Sequence, residues 1–179
     1  MTARAKARVT TQVYRVYIKA PLQAVWDAIT RPEWTERYGY RVEFDLRPGG
    51  AYQGFPNEAM WKAGAESGFP VPDVAADGEV VEVDPPRRLV QTWRLLMGPG
   101  MADEGFTRIT WEIDEVDTGL SRVTVVHELE GAPKVAALVA GEMEEQGGGG
   151  GWPEVLSGLK TLLETGEPLR RDGSEEERT

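Results

Sequence analysis

The chain has 179 residues, with 20 lysines and arginines against 30 aspartates and glutamates, a net charge of −10, one histidine and no cysteine. That length can bury a core without covalent staples, and the cysteine and histidine counts exclude disulfides, thiolate-held clusters, thiol catalysis and a multi-histidine metal site. So acidic a chain fits nucleic-acid phosphates and anionic membranes poorly, no stretch approaches the roughly 20 apolar residues of a membrane span, and Arg4, Lys6 and Arg8 are followed by no apolar run of a secretory signal.

Residues 1–10 read as a basic flexible tail. Val13–Ala20, aromatic and β-branched, reads as a strand. Pro21 stands where a first helical residue tolerates proline, and Leu22, Val25, Trp26 and Ile29 form the stripe of an amphipathic helix. Arg31-Pro32 interrupts it, with a short helix over Glu33–Arg37. Tyr40–Leu46 and Ala51–Phe55 read as strands joined by an R-P-G-G turn. Residues 56–76 read as a long loop with one helical turn around Ala59–Ala65. Loops of that length are often functional.

Gly78–Val83, Leu89–Leu96, Thr107–Val116 and Ser121–Leu129 follow as strands, spaced as in an antiparallel meander. Pro133–Gln146 reads as a helix. The glycines at 147–151 read as a flexible tether able to let that helix move. They lack the lysine and hydroxyl residue of a phosphate loop. Trp152, Val155, Leu156, Leu159, Leu162 and Leu163 then share one face of a long helix starting near Pro153, with Lys160 on the other face, and Gly166 is placed to end it. The remainder reads as a solvated tail, giving a domain over 11–166 between tails 1–10 and 167–179. Strands followed by a long helix imply an α+β layout, with space between sheet and helix where a pocket is expected.

Three segments resemble a known superfamily: A-P-L-Q-A-V-W-D-A-I at 20–29, G-E-V-V-E-V-D-P-P-R-R-L-V-Q-T-W-R at 78–94, and G-W-P-E-V-L-S-G-L-K-T-L-L-E at 151–164. They are similar to the START-like, helix-grip superfamily (SRPBCC), and within it to homologues of the heat-shock-protein-90 ATPase activator. The resemblance implies a curved antiparallel sheet of six or seven strands wrapped around the long C-terminal helix, with short helices after the first strand. Its members include lipid carriers, polyketide cyclases, co-chaperone domains and antibiotic self-resistance proteins, so the fold alone does not choose the function.

Strand alternation places Val123, Val125, His127 and Leu129 on one inward face, Leu89, Gln91, Trp93 and Leu95 on another, and Ile109, Trp111 and Ile113 on a third. His127 is either an acid–base group or a satisfied core histidine. Trp34, Tyr38, Trp93 and Trp111 either stack a ring system or fill the core. Paired acids such as Glu79/Glu82 read as solvated surface, and none of the four serines lies in a recognisable nucleophile context. The expected ligand-binding residues are Trp34, Tyr38, Tyr40, Gln91, Trp93, Trp111, His127, Leu156, Leu159 and Leu163.

The leading expectation is a non-catalytic, cytoplasmic binder of a hydrophobic, ring-containing small molecule, lipid or polyketide-like, for sequestration or self-resistance. It has no metal, no cofactor and no nucleic-acid partner. The alternatives are a chaperone-regulating interaction module and a cyclase- or aromatase-like enzyme using His127.

Overall fold

The computed structural model describes residues 10–170. Seven strands form one antiparallel sheet: β1 (Thr11–Ile18), β2 (Val42–Phe44), β3 (Ala51–Gly54), β4 (Ala76–Asp84), β5 (Arg88–Leu95), β6 (Thr107–Asp117) and β7 (Leu120–Glu128). Their spatial order is β1-β7-β6-β5-β4-β3-β2. β2 to β7 therefore run as a meander, and only β1 is out of sequence. The helices α1 (Leu22–Thr30) and α2 (Pro32–Thr35) carry the chain from the β1 edge to the β2 edge. That crossing wraps them over the same face on which the C-terminal helix packs. The architecture is the expected α+β helix grip.

The alternation expected on the central strands holds. Leu89, Gln91, Trp93 and Leu95, Ile109, Trp111 and Ile113, and Val123, Val125, His127 and Leu129 are all buried. Salt bridges such as Arg88–Glu112 and Arg122–Asp114 occupy the opposite face, as the two-residue period of a strand requires.

Three helical segments differ from expectation. Residues 58–67 form a ten-residue helix, α3 (Glu58–Ser67), rather than a single turn. Asn57 caps it by accepting from Met60 N at 2.9 Å, and Gly68 ends it in the left-handed conformation. Both are ordinary helix boundary signals. The apolar stripe is missing because only Gly64 is buried. After β7, α4 spans only Pro133–Val139, and a 3₁₀ turn over Glu144–Gln146 follows. The final helix, α5 (Gly151–Thr165), starts two residues earlier than Pro153.

Within the glycine run Gly148, Gly150 and Gly151 are closely packed, while Gly147 and Gly149 face open space. A Cβ on Gly151, whose φ is +65°, would lie 2.2 Å from the Val139 carbonyl, and one on Gly148 would meet Leu138 and Met143. Glycine is used here because two backbones approach closely. The segment just past α5 is also tied down. Arg170 Nε donates to Glu154 at 2.6 Å, so residues 167–170 fold back on α5. The rest of the two expected tails lies outside the described residues, apart from Thr10, whose carbonyl accepts from Leu129 N.

On α5, Trp152, Leu156, Leu159 and Leu162 are buried, Leu159 completely, while Val155 and Leu163 are half-buried. Lys160 is not a free surface charge. Its Nζ donates to the Tyr17 carbonyl at 2.6 Å and to Glu164 at 2.8 Å. Glu164 also accepts from the Lys19 amide at 2.9 Å. These bonds fasten the last turns of α5 to the end of β1.

Candidate functional site

The space between the sheet and α5 is occupied by side chains. Trp93 from β5, Trp111 from β6, His127 from β7 and Trp152 from α5 meet there as an edge-to-face cluster. Ring centroids are 5.7 Å apart for Trp93–His127, 5.9 Å for His127–Trp152 and 5.2 Å for Trp111–Trp152, each pair near perpendicular. This is the arrangement the ring quadrupoles favour. Sequence reasoning left Trp152 out of the site, because a tryptophan on a helix face reads as core. Its N–H is what joins it to the cluster.

Hydrogen bonds fix the state of His127. Trp152 Nε1, which can only donate, reaches His127 Nδ1 at 3.1 Å. Nδ1 is therefore the acceptor, and the proton of the neutral ring sits on Nε2. Nε2 donates to Thr107 Oγ1 at 2.8 Å, and Thr107 passes its own proton to the Trp93 carbonyl at 2.9 Å. Every donor and acceptor in this relay is used. His127 is 0% exposed, and burial lowers its pKa to about 3. The ring is neutral throughout the physiological range, and neither nitrogen is free to move a proton for a substrate. This is the satisfied core histidine rather than an acid–base group.

A second polar group lies beside the first. Tyr40 and Tyr52 bring their hydroxyls within 3.2 Å of each other, and Tyr38 donates to the Ala28 carbonyl at 2.7 Å. Burial raises all three phenols above the usual tyrosine range. Gly54 makes room for Tyr40, since a Cβ there would lie 2.5 Å from its ring.

Gln91 is different. It points inward from β5, opposite Val80 on β4 and Ile109 on β6, and is 2% exposed. Both cross-strand neighbours are aliphatic, so neither offers the Gln91 side-chain amide a polar partner, although among the described residues the one buried side-chain polar atom left without a hydrogen bond is Arg122 Nε.

The expected site residues thus fall into groups. Trp93, Trp111 and His127 are in direct contact through the cluster, with Leu156 and Leu159 in the same core. Gln91 is their neighbour on β5. Tyr40 and Tyr52 form a hydroxyl pair that adjoins the cluster through the Trp93 side chain. Trp34 lies on α2 with the Arg37 guanidinium 5.4 Å above its ring, and Leu163 lines the edge of the core. The end of the interior beyond His127 is covered by α4. Glu104 holds that helix by accepting from Lys134 N and Val135 N, both at 2.9 Å. A carboxylate on a helix N-terminus is a favourable cap.

The family model described as Activator of Hsp90 ATPase homolog 1-like protein matches residues 19–164. No curated protein sequence matches. Among solved structures, CalU16 from Micromonospora echinospora is similar with a TM-score of 0.58 at 21% identity, covering 88% of this chain and 76% of that one. DynU16, a protein of the dynemicin biosynthetic locus, is similar with a TM-score of 0.64 at 23% identity. That match covers 92% of this chain and 51% of DynU16, so this chain spans about half its length. An HSP90 activator from Plasmodium falciparum is similar with a TM-score of 0.51 at 19% identity, covering 70% of this chain and 78% of that one. At these identities the likeness is one of fold.

Proposed function

The chain belongs to the family of activator of Hsp90 ATPase homologue 1-like proteins, and we propose that it binds, without chemical turnover, an apolar ring-containing small molecule that carries a polar group. The observation that carries this reading is the inward face itself: Trp93, Trp111 and aliphatic side chains with one amide, Gln91, set among them opposite aliphatic neighbours. A ligand with a polar group can hydrogen-bond that amide, and its rings replace aromatic contacts of the same kind. Binding would require Trp93, or α4 with the segment that follows it, to give way, because the space is filled in the structure.

Nothing in the interior supports an enzymatic reading. His127 has both nitrogens engaged, and the inward-facing polar residues near it are hydroxyls and an amide. Sequestration or carriage of a secondary metabolite accords with the fold likeness to DynU16, a protein of the dynemicin biosynthetic locus. A chaperone-regulating role rests on the family description and on the fold likeness to the HSP90 activator from Plasmodium falciparum.

The test is an amide- and indole-resolved NMR titration with fatty acids, flavonoids and aromatic polyketides, repeated on Gln91→Leu. Saturable shifts at Trp93, Trp111 and Trp152, weakened in Gln91→Leu while its thermal stability stays equal or rises, support the proposal. Shifts confined to the outer surface, or affinity unchanged in Gln91→Leu, would refute it.

A further inference from the structure

Away from the aromatic interior, the chain between α2 and β2, the end of β3 and the start of α3 enclose an open cleft of about 480 Å³. Glu36, Arg41, Phe55, Asn57, Trp61 and Asp73 line it. Its walls are held in place. Asn57 caps α3 and also donates through Nδ2 to the Gly39 carbonyl at 3.1 Å. α3 packs back onto the segment that follows it at Gly64, where a Cβ would lie 2.2 Å from Val71 Cγ2. One bifunctional asparagine and one glycine contact therefore fix a helix that buries almost nothing else.

The chemistry of the lining is uneven. Arg41 is already neutralised by Glu43 at 2.8 Å, and its guanidinium lies 4.4 Å from the centre of the Phe55 ring. Glu36 and Asp73 have no ion pair among the described residues. Trp61 is 48% exposed, a large aromatic surface open to solvent. Glu58, in the first turn of α3, offsets the positive end of that helix. The cleft thus presents one free aromatic face and two free carboxylates, on a protein whose net charge of −10 draws cations toward it. The Arg41–Phe55 contact shows that the site already accommodates a cation over an aromatic ring.

We infer that this cleft is a binding site for a small organic cation, an ammonium bearing an apolar or aromatic group, held over Trp61 and between Glu36 and Asp73. Cation–ring attraction and two carboxylates act together here, and tryptophan is the strongest ring for the purpose. The site is separate from the interior and does not depend on what that interior binds.

Benzyltrimethylammonium is the probe, titrated into labelled protein while the indole N–H signals are followed. Trp61 is assigned by its loss in Trp61→Leu. The expected result is a saturable shift at Trp61, with the other indoles unmoved. Affinity should fall about tenfold or more in the Glu36→Gln/Asp73→Asn double variant. It should fall several-fold as salt rises from about 20 to about 300 mM. Unmoved indole signals elsewhere in the double variant certify its fold. Absence of a saturable shift, an equal response to sodium benzoate or benzyl alcohol, or undiminished binding by the folded double variant would overturn the inference.

Discussion

The chain has a single histidine, which makes its contribution to stability separable from everything else that titrates. The unfolded imidazole has a pKa near 6.5 and the folded one about 3, lowered by burial. Protonating the ring in the fold would also break its bond from Trp152, because Nδ1 would become a donor facing a donor. The folded state therefore binds the proton less well than the unfolded chain. The neutral ring's advantage is complete above about pH 6.5, declines as pH falls, and its loss levels off below about pH 3. Between about pH 7 and about pH 4.5 the loss is about 2.5 kcal/mol, at roughly 1.4 kcal/mol per pH unit below the unfolded value. Carboxylates also titrate in this window, so the comparison must be with a variant in which only the imidazole is gone. His127→Gln can still accept from Trp152 and donate to Thr107, and it carries no titratable group. Urea unfolding of both proteins at the two pH values should show the wild type losing about 2.5 kcal/mol more than the variant. Parallel losses would refute the reasoning, and so would a ring signal titrating near pH 6 in native protein.

Other consequences can be read by the same unfolding measurements. Leu159→Ala should cost about 2–5 kcal/mol, because the side chain is fully buried, whereas Lys160→Ala should cost about 1 kcal/mol through the lost bond to the Tyr17 carbonyl. Trp152→Phe leaves His127 Nδ1 without a donor and should cost about 1–3 kcal/mol. It should also raise the His127 pKa, which an NMR titration of the one histidine ring reads directly. Gly151→Ala places a methyl 2.2 Å from the Val139 carbonyl in a left-handed conformation, while Gly147→Ala at φ +83° meets nothing within 4 Å. The second should therefore cost only the backbone penalty of about 1 kcal/mol and the first distinctly more. Equal losses at the two glycines would mean that the run is a free tether after all.

The parts of the fold legible in the sequence are those whose burial is periodic. Strands β5, β6 and β7 alternate between an apolar buried face and one that carries most of their charges, though Val90, Thr110 and Thr124 are buried on the second, and α5 repeats its apolar positions at three and four, so pattern alone orients them. Where burial is not periodic, the pattern is silent. α3 touches the rest of the protein through Gly64 and its Asn57 cap, so hydropathy showed a loop, although the cap and Gly68 were in plain view. The five glycines illustrate the converse. Composition cannot distinguish a glycine chosen for freedom from one chosen because another backbone lies against it, and Gly151 is the second kind.

The candidate site was legible as a set of inward positions but not as chemistry, and His127 and Gln91 show why. Both are polar residues flanked by apolar ones at a spacing of two, on strands separated only by β6. Nothing local distinguishes them. The difference lies in residues far along the chain: Trp152 and Thr107, 25 and 20 positions from His127, arrive at its two nitrogens. Val80 and Ile109, which arrive at Gln91, bring only methyl and methylene groups. One polar side chain is thereby closed into a relay and made inert, and the other meets no polar group on its two neighbouring strands. The residue that sequence reasoning ranks first for chemistry is the one the fold saturates. A side chain's availability is set by its partners and not by its own type.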